Sequence, residues 1–438
     1  MLNNLINCYI CICNSYLFVA LSFRRVALII GLLPIITQGH SQEQPKYIFI
    51  NSAPNRIWSV TKPSTFSRKH IDEIIQKINA PENKNLRVGI SYIFDFLQTD
   101  LDSVEKSLDN FMSLSVQTNV PILINLDGAN WWAARPDLWN WWDRNMPGYN
   151  PANRKNVEWT GWDDSLAIKI SWRNWGRQIR ILPAPNLMSS AVLSAHIGAL
   201  KRLIPRVINW YNTLPLNQKY LFGGLKLGWE TSIGVSDYHY KDGNRYVEKM
   251  PDDPSLDPRE SYNATAGFSG GLAPLGYAAV KTAGIKNKGR ITQDDMAQII
   301  KIYLDTLCKT AHDLGLEQKF MYTHQGGTYA PWEKHLTFAS ASNQYAYPGW
   351  SFYATDPHTA GNMSDVLDKR EKPGWAAVEW WWPGDNKTEW IYNLQRTLSY
   401  KDCRLMAIYN WEGGLEKDNN GIQAVKEVVA KWNDNKQH

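Results

Sequence analysis

Two apolar runs end on a glutamate beside tryptophan. GGLKLGWE (223–230) closes on Glu230, and GWAAVEWWW (374–382) carries Glu379. A pair of carboxyl groups can flank one bond, one protonated to help an oxygen leave and the other ionised to attack carbon or activate water. Cleavage of a glycosidic bond requires that pair. Carboxyls about 5–5.5 Å apart give a covalent intermediate and retention, and about 6.5–9.5 Å leaves room for water and inversion. Spacing along the chain does not choose between them. A single glutamate after a strand is ordinarily a loop residue, so the chemistry depends on what brings the two together.

The elements that must do so alternate regularly. Apolar runs at 47–52, 86–96, 120–128, 221–230, 319–327, 347–353, 374–382 and 404–413 read as strands. Helical spacing of apolar residues predicts helices between or after them, most clearly near 71–78, 187–212, 291–315 and 420–433. Eight such units with near-continuous apolar strands predict a closed parallel (β/α)8 TIM barrel. An open doubly wound sheet is the alternative, but no G-x-G-x-x-G follows the first strand. No linker or internal repeat divides the chain, which predicts one barrel domain over 42–438.

Barrel chemistry sits where strands end and βα loops begin. Those ends carry Asp95, Asn125, Asp127, Glu230, Tyr322, His324, Gln325, Trp350, Tyr353, Glu379, Trp380, Tyr409, Asn410, Trp411 and Glu412. A barrel with glutamates ending strands 4 and 7 resembles the clan A, or "4/7", retaining glycoside hydrolases, with no specific family indicated. The resemblance covers about residues 45–434. It implies that Glu230 is the acid/base and Glu379 the nucleophile, and that a tyrosine or histidine contacts the nucleophile, with Tyr322, His324 and Tyr409 as candidates. The chain departs from the clan at Trp229, where most members place an asparagine that binds the sugar 2-hydroxyl. Glu412, in NWEGG, competes for the nucleophile's role but fits a turn or a substrate contact. Asp127 fits a sugar contact or the cap of an Asp-Gly turn equally well.

The chain has 438 residues, 21 of them Trp, an excess suited to lining a wet groove. Nine of these lie in the long stretch after strand 3: Trp131, Trp132, Trp139, Trp141, Trp142, Trp159, Trp162, Trp172 and Trp175. They either stack on sugar rings or build a small core for the loop. Residues expected to contact a carbohydrate substrate are Asp127, Asn130, Trp131, Trp132, Trp229, Tyr322, His324, Trp350, Trp380 and Trp411. The stretch 231–290 is rich in charge, Pro and Gly and reads as a lid or a subunit contact; the oligomeric state is open.

A net charge of +5 without a basic block leaves no electrostatic footprint for nucleic acid. Arg24 and Arg25 precede VALIIGLLPIIT and a small polar exit, the pattern of a secretory signal. Residues 1–41 therefore read as a targeting segment, and the mature protein as secreted or periplasmic with no membrane partner. Cys308 and Cys403 remain beyond it and read as two buried thiols. No Cys/His cluster has metal-ligand spacing, so neither a metal nor a cofactor is expected. A carbohydrate-binding barrel without catalysis is the second reading. A serine hydrolase is disfavoured because no G-x-S-x-G elbow occurs.

Overall fold

Each of the eight apolar runs forms a strand, and each strand pairs in parallel with the next. The computed structural model describes residues 45–57, 62–169, 171–174, 178–233, 237–238, 272–273, 275–326 and 338–433. The expected targeting segment and most of the stretch after strand 4, including residues 239–271, lie outside these. The strands are β1 (Lys46–Asn51), β2 (Leu86–Asp95), β3 (Ile122–Asp127), β4 (Phe222–Thr231), β5 (Met321–Gln325), β6 (Gly349–Tyr353), β7 (Trp375–Trp381) and β8 (Cys403–Ile408). They join in chain order, and β8 returns to β1 with Tyr47 opposite Leu405 and Ile50 opposite Ile408, so the sheet closes as a (β/α)8 barrel. Closure leaves no strand edge exposed and turns every C-terminal end toward one mouth.

The outer layer comprises helices whose ends are signalled locally. Helix α1 (Arg68–Ile78) starts at Ser67, whose side chain accepts from the His70 amide, and stops at Asn79 in the left-handed region. Helix α2 (Leu101–Thr118) is capped by Asp100, and α3 (Ser190–Thr213) follows the long excursion after β3. Helix α4 (Gln293–Asp313) opens with a capping box between Thr292 and Asp295. Helix α5 (Met363–Asp368) precedes β7, α6 (Lys387–Leu398) precedes β8, and α7 (Asn419–Lys431) ends the ring. Between α2 and α3 the buried Glu105 takes Arg202 at 2.5 Å and Arg206 at 2.9 Å. Cys308 and Cys403 are both free and buried, as expected.

The barrel interior has two levels. Near the N-terminal ends of the strands, Tyr47, Phe49, Leu123, Tyr322, Ala376, Val378, Leu405 and Ala407 form an apolar plug. Gly223 leaves the space that Phe49 fills, since a Cβ there would lie 2.2 Å from its ring. Toward the mouth the filling turns polar: Ser91, Asn125, Lys226, His324, Ser351 and Glu379 are all buried. The plug shuts one end, so the polar level opens in one direction. Among the described residues, no helix is long and apolar enough to cross a membrane.

Trp390 on α6 couples the two layers on the β7 side. It is fully buried against Trp380 and Trp381, and its Nε1 donates at 3.1 Å to Asp418, the residue that caps α7. Trp390→Ala should destabilise the protein by about 3–5 kcal/mol in urea unfolding. Leu216→Ala, at a site 91% exposed, should change it by less than about 0.5 kcal/mol.

Candidate active site

Glu379 sits near the end of β7 and Glu230 near the end of β4, and the closed barrel brings them face to face. One oxygen of each and a ring nitrogen of His324 all lie within 4.8 Å of one another. Glu379 is 3% exposed, whereas Glu230 is half-buried and reaches the open mouth. The two carboxyls therefore share a centre but not an environment.

Local backbone geometry aims them. In β7 the pairing to β8 shifts between Ala377 and Trp380, which breaks the two-residue alternation and lets both Val378 and Glu379 face inward. In β4, Gly228 has φ 84° and Glu230 φ 43°. A left-handed glutamate is uncommon and persists where surrounding structure holds it. The twist turns the Trp229 indole across the barrel, and its Nε1 donates at 2.7 Å to Glu379 Oε2. Tyr353, at the end of β6, donates its hydroxyl to Glu379 Oε1. His324 stands 4.0 Å from Glu379 Oε2, and its Nε2 is bonded to Ser351 Oγ at 2.7 Å.

Burial raises the Glu379 carboxyl above the ordinary glutamate range, opposed by the Lys226 charge and the bonds from Tyr353 and Trp229. These donors favour the ionised form, but desolvation outweighs them. Burial also lowers His324 well below its usual value, with the Lys226 charge adding to it, so its imidazole is neutral. Tyr353 is pushed well up by burial and by the charges of Glu230 and Glu379. It therefore stays a hydroxyl donor.

Two carboxylates and an imidazole could hold a divalent cation. Here each Glu379 oxygen already accepts a bond from a protein donor, and His324 is engaged with Ser351. These bonds stabilise the Glu379 carboxylate itself.

The structure sorts the other expected contacts by the way each side chain faces. Asn130 and Asp127 do border the pair: Asn130 Nδ2 donates at 2.6 Å to the Trp229 carbonyl, and Asp127 Oδ1 accepts at 3.0 Å from the Ala129 amide. Asp127 is fully buried beside Asp95, so its observed work is to cap its turn. Burial and the Asp127 charge push the Asp95 carboxyl well up. Trp131 is half-buried at the end of β3.

Five expected contacts point elsewhere. Tyr322 lies two residues below His324, with its side chain in the apolar plug rather than at the mouth. Trp350 packs outward against Phe338 and Trp375. Trp380 also faces the helices, donating to Thr397 Oγ1 at 3.1 Å. Trp411 is buried in the outer core with the Lys77 ammonium 5.8 Å from its ring. Trp132 is 1% exposed and donates to the Pro183 carbonyl at 3.1 Å. The excursion after β3 mostly uses its tryptophans in this second way: the indoles of Trp139, Trp141, Trp159 and Trp162 donate to the carbonyls of Trp132, Ile168, Arg154 and Gly289. They supply the loop with its own core. The side chains of Trp172 and Trp175 lie outside the described residues.

Three partners were not foreseen. Tyr353 bonds the nucleophile candidate, whereas Tyr322 lies in the plug; the alternation in GWSFY, which pairs Ser351 with Tyr353 on one face, carried that signal. Lys226 lies in the polar level, 1% exposed, its ammonium lowered to about 8 by burial against the pull of Glu379, Glu230 and Asp127. Glu158, buried in the excursion, accepts from the amides of Gly276, Ala278 and Ala279 and ties that loop to the segment before α4.

No family model matches the chain, and no curated protein matches it. Among solved structures it is similar to the catalytic domain of a β-amylase from Paenibacillus polymyxa, at 8% identity and a TM-score of 0.47, covering 89% of this chain and 99% of that one. It is also similar to a broad-specificity GH5-4 endoglucanase from an uncultured bacterium, at 8% identity and a TM-score of 0.38, over 87% and 93% of the two chains. A third is the family 5 glycoside hydrolase PbGH5A from Prevotella bryantii, at 8% identity and 0.36, over 83% and 86%. Likenesses this distant add nothing to the barrel that the strand order already establishes. The chemistry has to be read from the site.

Glu412 is held away from the pair. Its Oε1 accepts from Ser52 Oγ at 2.5 Å and the Ala53 amide at 3.1 Å, with His70 Nε2 at 3.6 Å. Burial opposes ionisation, but the bonds from His70, Ser52 and Ala53 together keep its carboxyl below the ordinary range. Its contribution to stability is present above the unfolded value of about 4.3 and is lost as pH falls through the lowered folded value. Glu412→Gln should cost about 1–3 kcal/mol at neutral pH, and the gap to the parent in urea unfolding should close as pH falls below that value.

Proposed function

We propose that this protein is a glycoside hydrolase that cleaves with retention, using Glu379 as nucleophile and Glu230 as acid/base. The observation that carries the reading is the approach of the two carboxyls to within 4.8 Å at the ends of β4 and β7. That closeness supports direct attack by one carboxylate over attack by an activated water.

The different surroundings of the two groups support the division of roles. Glu379 is buried, bonded at both oxygens and held still, as a nucleophile must be. In the first step one of its oxygens bonds to the anomeric carbon while the bond to the leaving oxygen breaks. Glu230 gives its proton to that oxygen. In the second step water attacks the same carbon, Glu230 takes the water's proton, and the bond to Glu379 breaks. The proton that Glu230 gives in the first step it regains from water in the second, so both carboxyls return to their starting states. Trp229 and Tyr353 hold the Glu379 carboxylate in position and release charge-assisted hydrogen bonds as the ester forms.

The substrate in this reading is an oligo- or polysaccharide with β-linked sugars, met after export. Support for the glycan comes from the paired carboxyls and the Trp229 indole bonded to one of them. Support for export comes from the basic, apolar and polar order of residues 24–41.

Incubating the protein with a panel of plant, microbial and host glycans and detecting released sugars by mass spectrometry tests the reading. Glu379→Gln and Glu230→Gln should each lower turnover by about a thousandfold or more. Turnover within tenfold of the parent for Glu379→Gln would remove that residue from the chemistry. Glycan binding without release by the parent would make the barrel a binding protein. For an active substrate, kcat/KM should fall on the acid side with a midpoint above about 4.3, because burial raises Glu379.

A further inference from the structure

We propose that Lys226 is the positioning residue that keeps Glu379 ionised, acting from inside the barrel beneath the carboxylate. The inference rests on the assignment of Glu379 as nucleophile. In β4 the residues on either side, Leu225 and Leu227, are buried and apolar. Lys226 alternates with them and points inward, level with Asn125 of β3 and Tyr322 of β5. Its Nζ extends across the barrel to the Val378 carbonyl at 3.5 Å, one residue before Glu379. That contact is long for a hydrogen bond.

An ammonium buried to 1% exposure on one long carbonyl contact is strongly unfavourable unless opposite charge lies near. The groups facing it supply that charge from three strands: Glu379 on β7, Glu230 on β4 and Asp127 on β3. Asp95 on β2 faces Asp127, and burial and the Asp127 charge push its carboxyl well up. His324 on β5 and Tyr353 on β6 are neutral neighbours. Glu379 is the buried carboxylate next to the carbonyl that Lys226 touches, and the Lys226 charge leads the influences that oppose its protonation. A methionine would fill the same interior volume without that charge. The cation's effect is therefore electrostatic: it offsets desolvation and holds the carboxylate ready to attack, without touching substrate.

Carbon-13 NMR of protein labelled at glutamate Cδ reads the titration directly, with the Glu379 signal assigned by its loss in Glu379→Gln. Lys226→Met should raise the Glu379 midpoint by about one pH unit or more, a tenfold gain in proton affinity. Lys226→Arg, which keeps the charge, should leave it near the parent value. An unchanged midpoint in a folded Lys226→Met protein would overturn the proposal. Should that variant fail to fold, the coupling can be read in reverse, because it is reciprocal. The nitrogen-15 signal of Lys226 Nζ should then titrate at lower pH in Glu379→Gln than in the parent, and no movement would overturn the proposal equally. Neither readout needs turnover. Inactivity on every glycan would remove the hydrolase reading while leaving these midpoints in place, and unmoved midpoints would remove the role of Lys226 alone.

Discussion

Burying a carboxylate inside a closed barrel is the constraint around which the mouth of this protein is organised. Glu379 has almost no contact with solvent, and an unpaired buried carboxylate would simply take up a proton. Each feature nearby answers that cost. The left-handed turn at Gly228 and Glu230 delivers the Trp229 N–H, β6 ends on the Tyr353 hydroxyl, and β4 contributes the Lys226 ammonium from below. The same turn sets Glu230 opposite. Backbone strain in β4 therefore serves both carboxyls at once, since it carries the donor for one and aims the other.

The apolar plug at the other end makes the arrangement directional. Phe49, Tyr322 and their neighbours fill the lower barrel and exclude water from that side. The polar level above them is dry below and open above, so interactions there act at low dielectric. Glu412 shows how position on the rim differs from position in the site. It lies in the loop after the next strand along, and Ser52, Ala53 and His70 draw it toward β1 and α1, where it joins the last strand's loop to the first.

Much of the fold was legible in the sequence, because eight apolar runs separated by helical spacing leave few architectures. The expected strand at 221–230 is observed as Phe222–Thr231, and that at 374–382 as Trp375–Trp381. Both glutamates follow from those assignments. The aromatic contacts were less legible. Trp350, Trp380 and Trp411 were placed by nearness to a strand end, whereas a strand sends successive side chains to opposite faces. Period-two reading of GWSFY would have turned Trp350 outward and Tyr353 inward. It would not have sufficed in β7, where a register shift breaks the period at Glu379 itself. Lys226 was hidden differently: within GGLKLG it passes for an ordinary strand residue, and only closure of the barrel makes its inward direction unusual. The tryptophans after β3 could be read either as a sugar platform or as a loop core, and the choice depended on indole partners as far as 51 and 127 residues away, which no local pattern encodes.

The central claim is that Glu379 forms a covalent bond to the sugar. Intact-protein and peptide mass spectrometry after incubation with a set of 2-deoxy-2-fluoro glycosides bearing good leaving groups tests it most directly, because slowing the second step accumulates the ester. The account predicts a single added sugar mapped to the peptide containing Glu379, absent in Glu379→Gln. Sugar release by the parent with no adduct from any matching reagent, or an adduct on another residue, would contradict it.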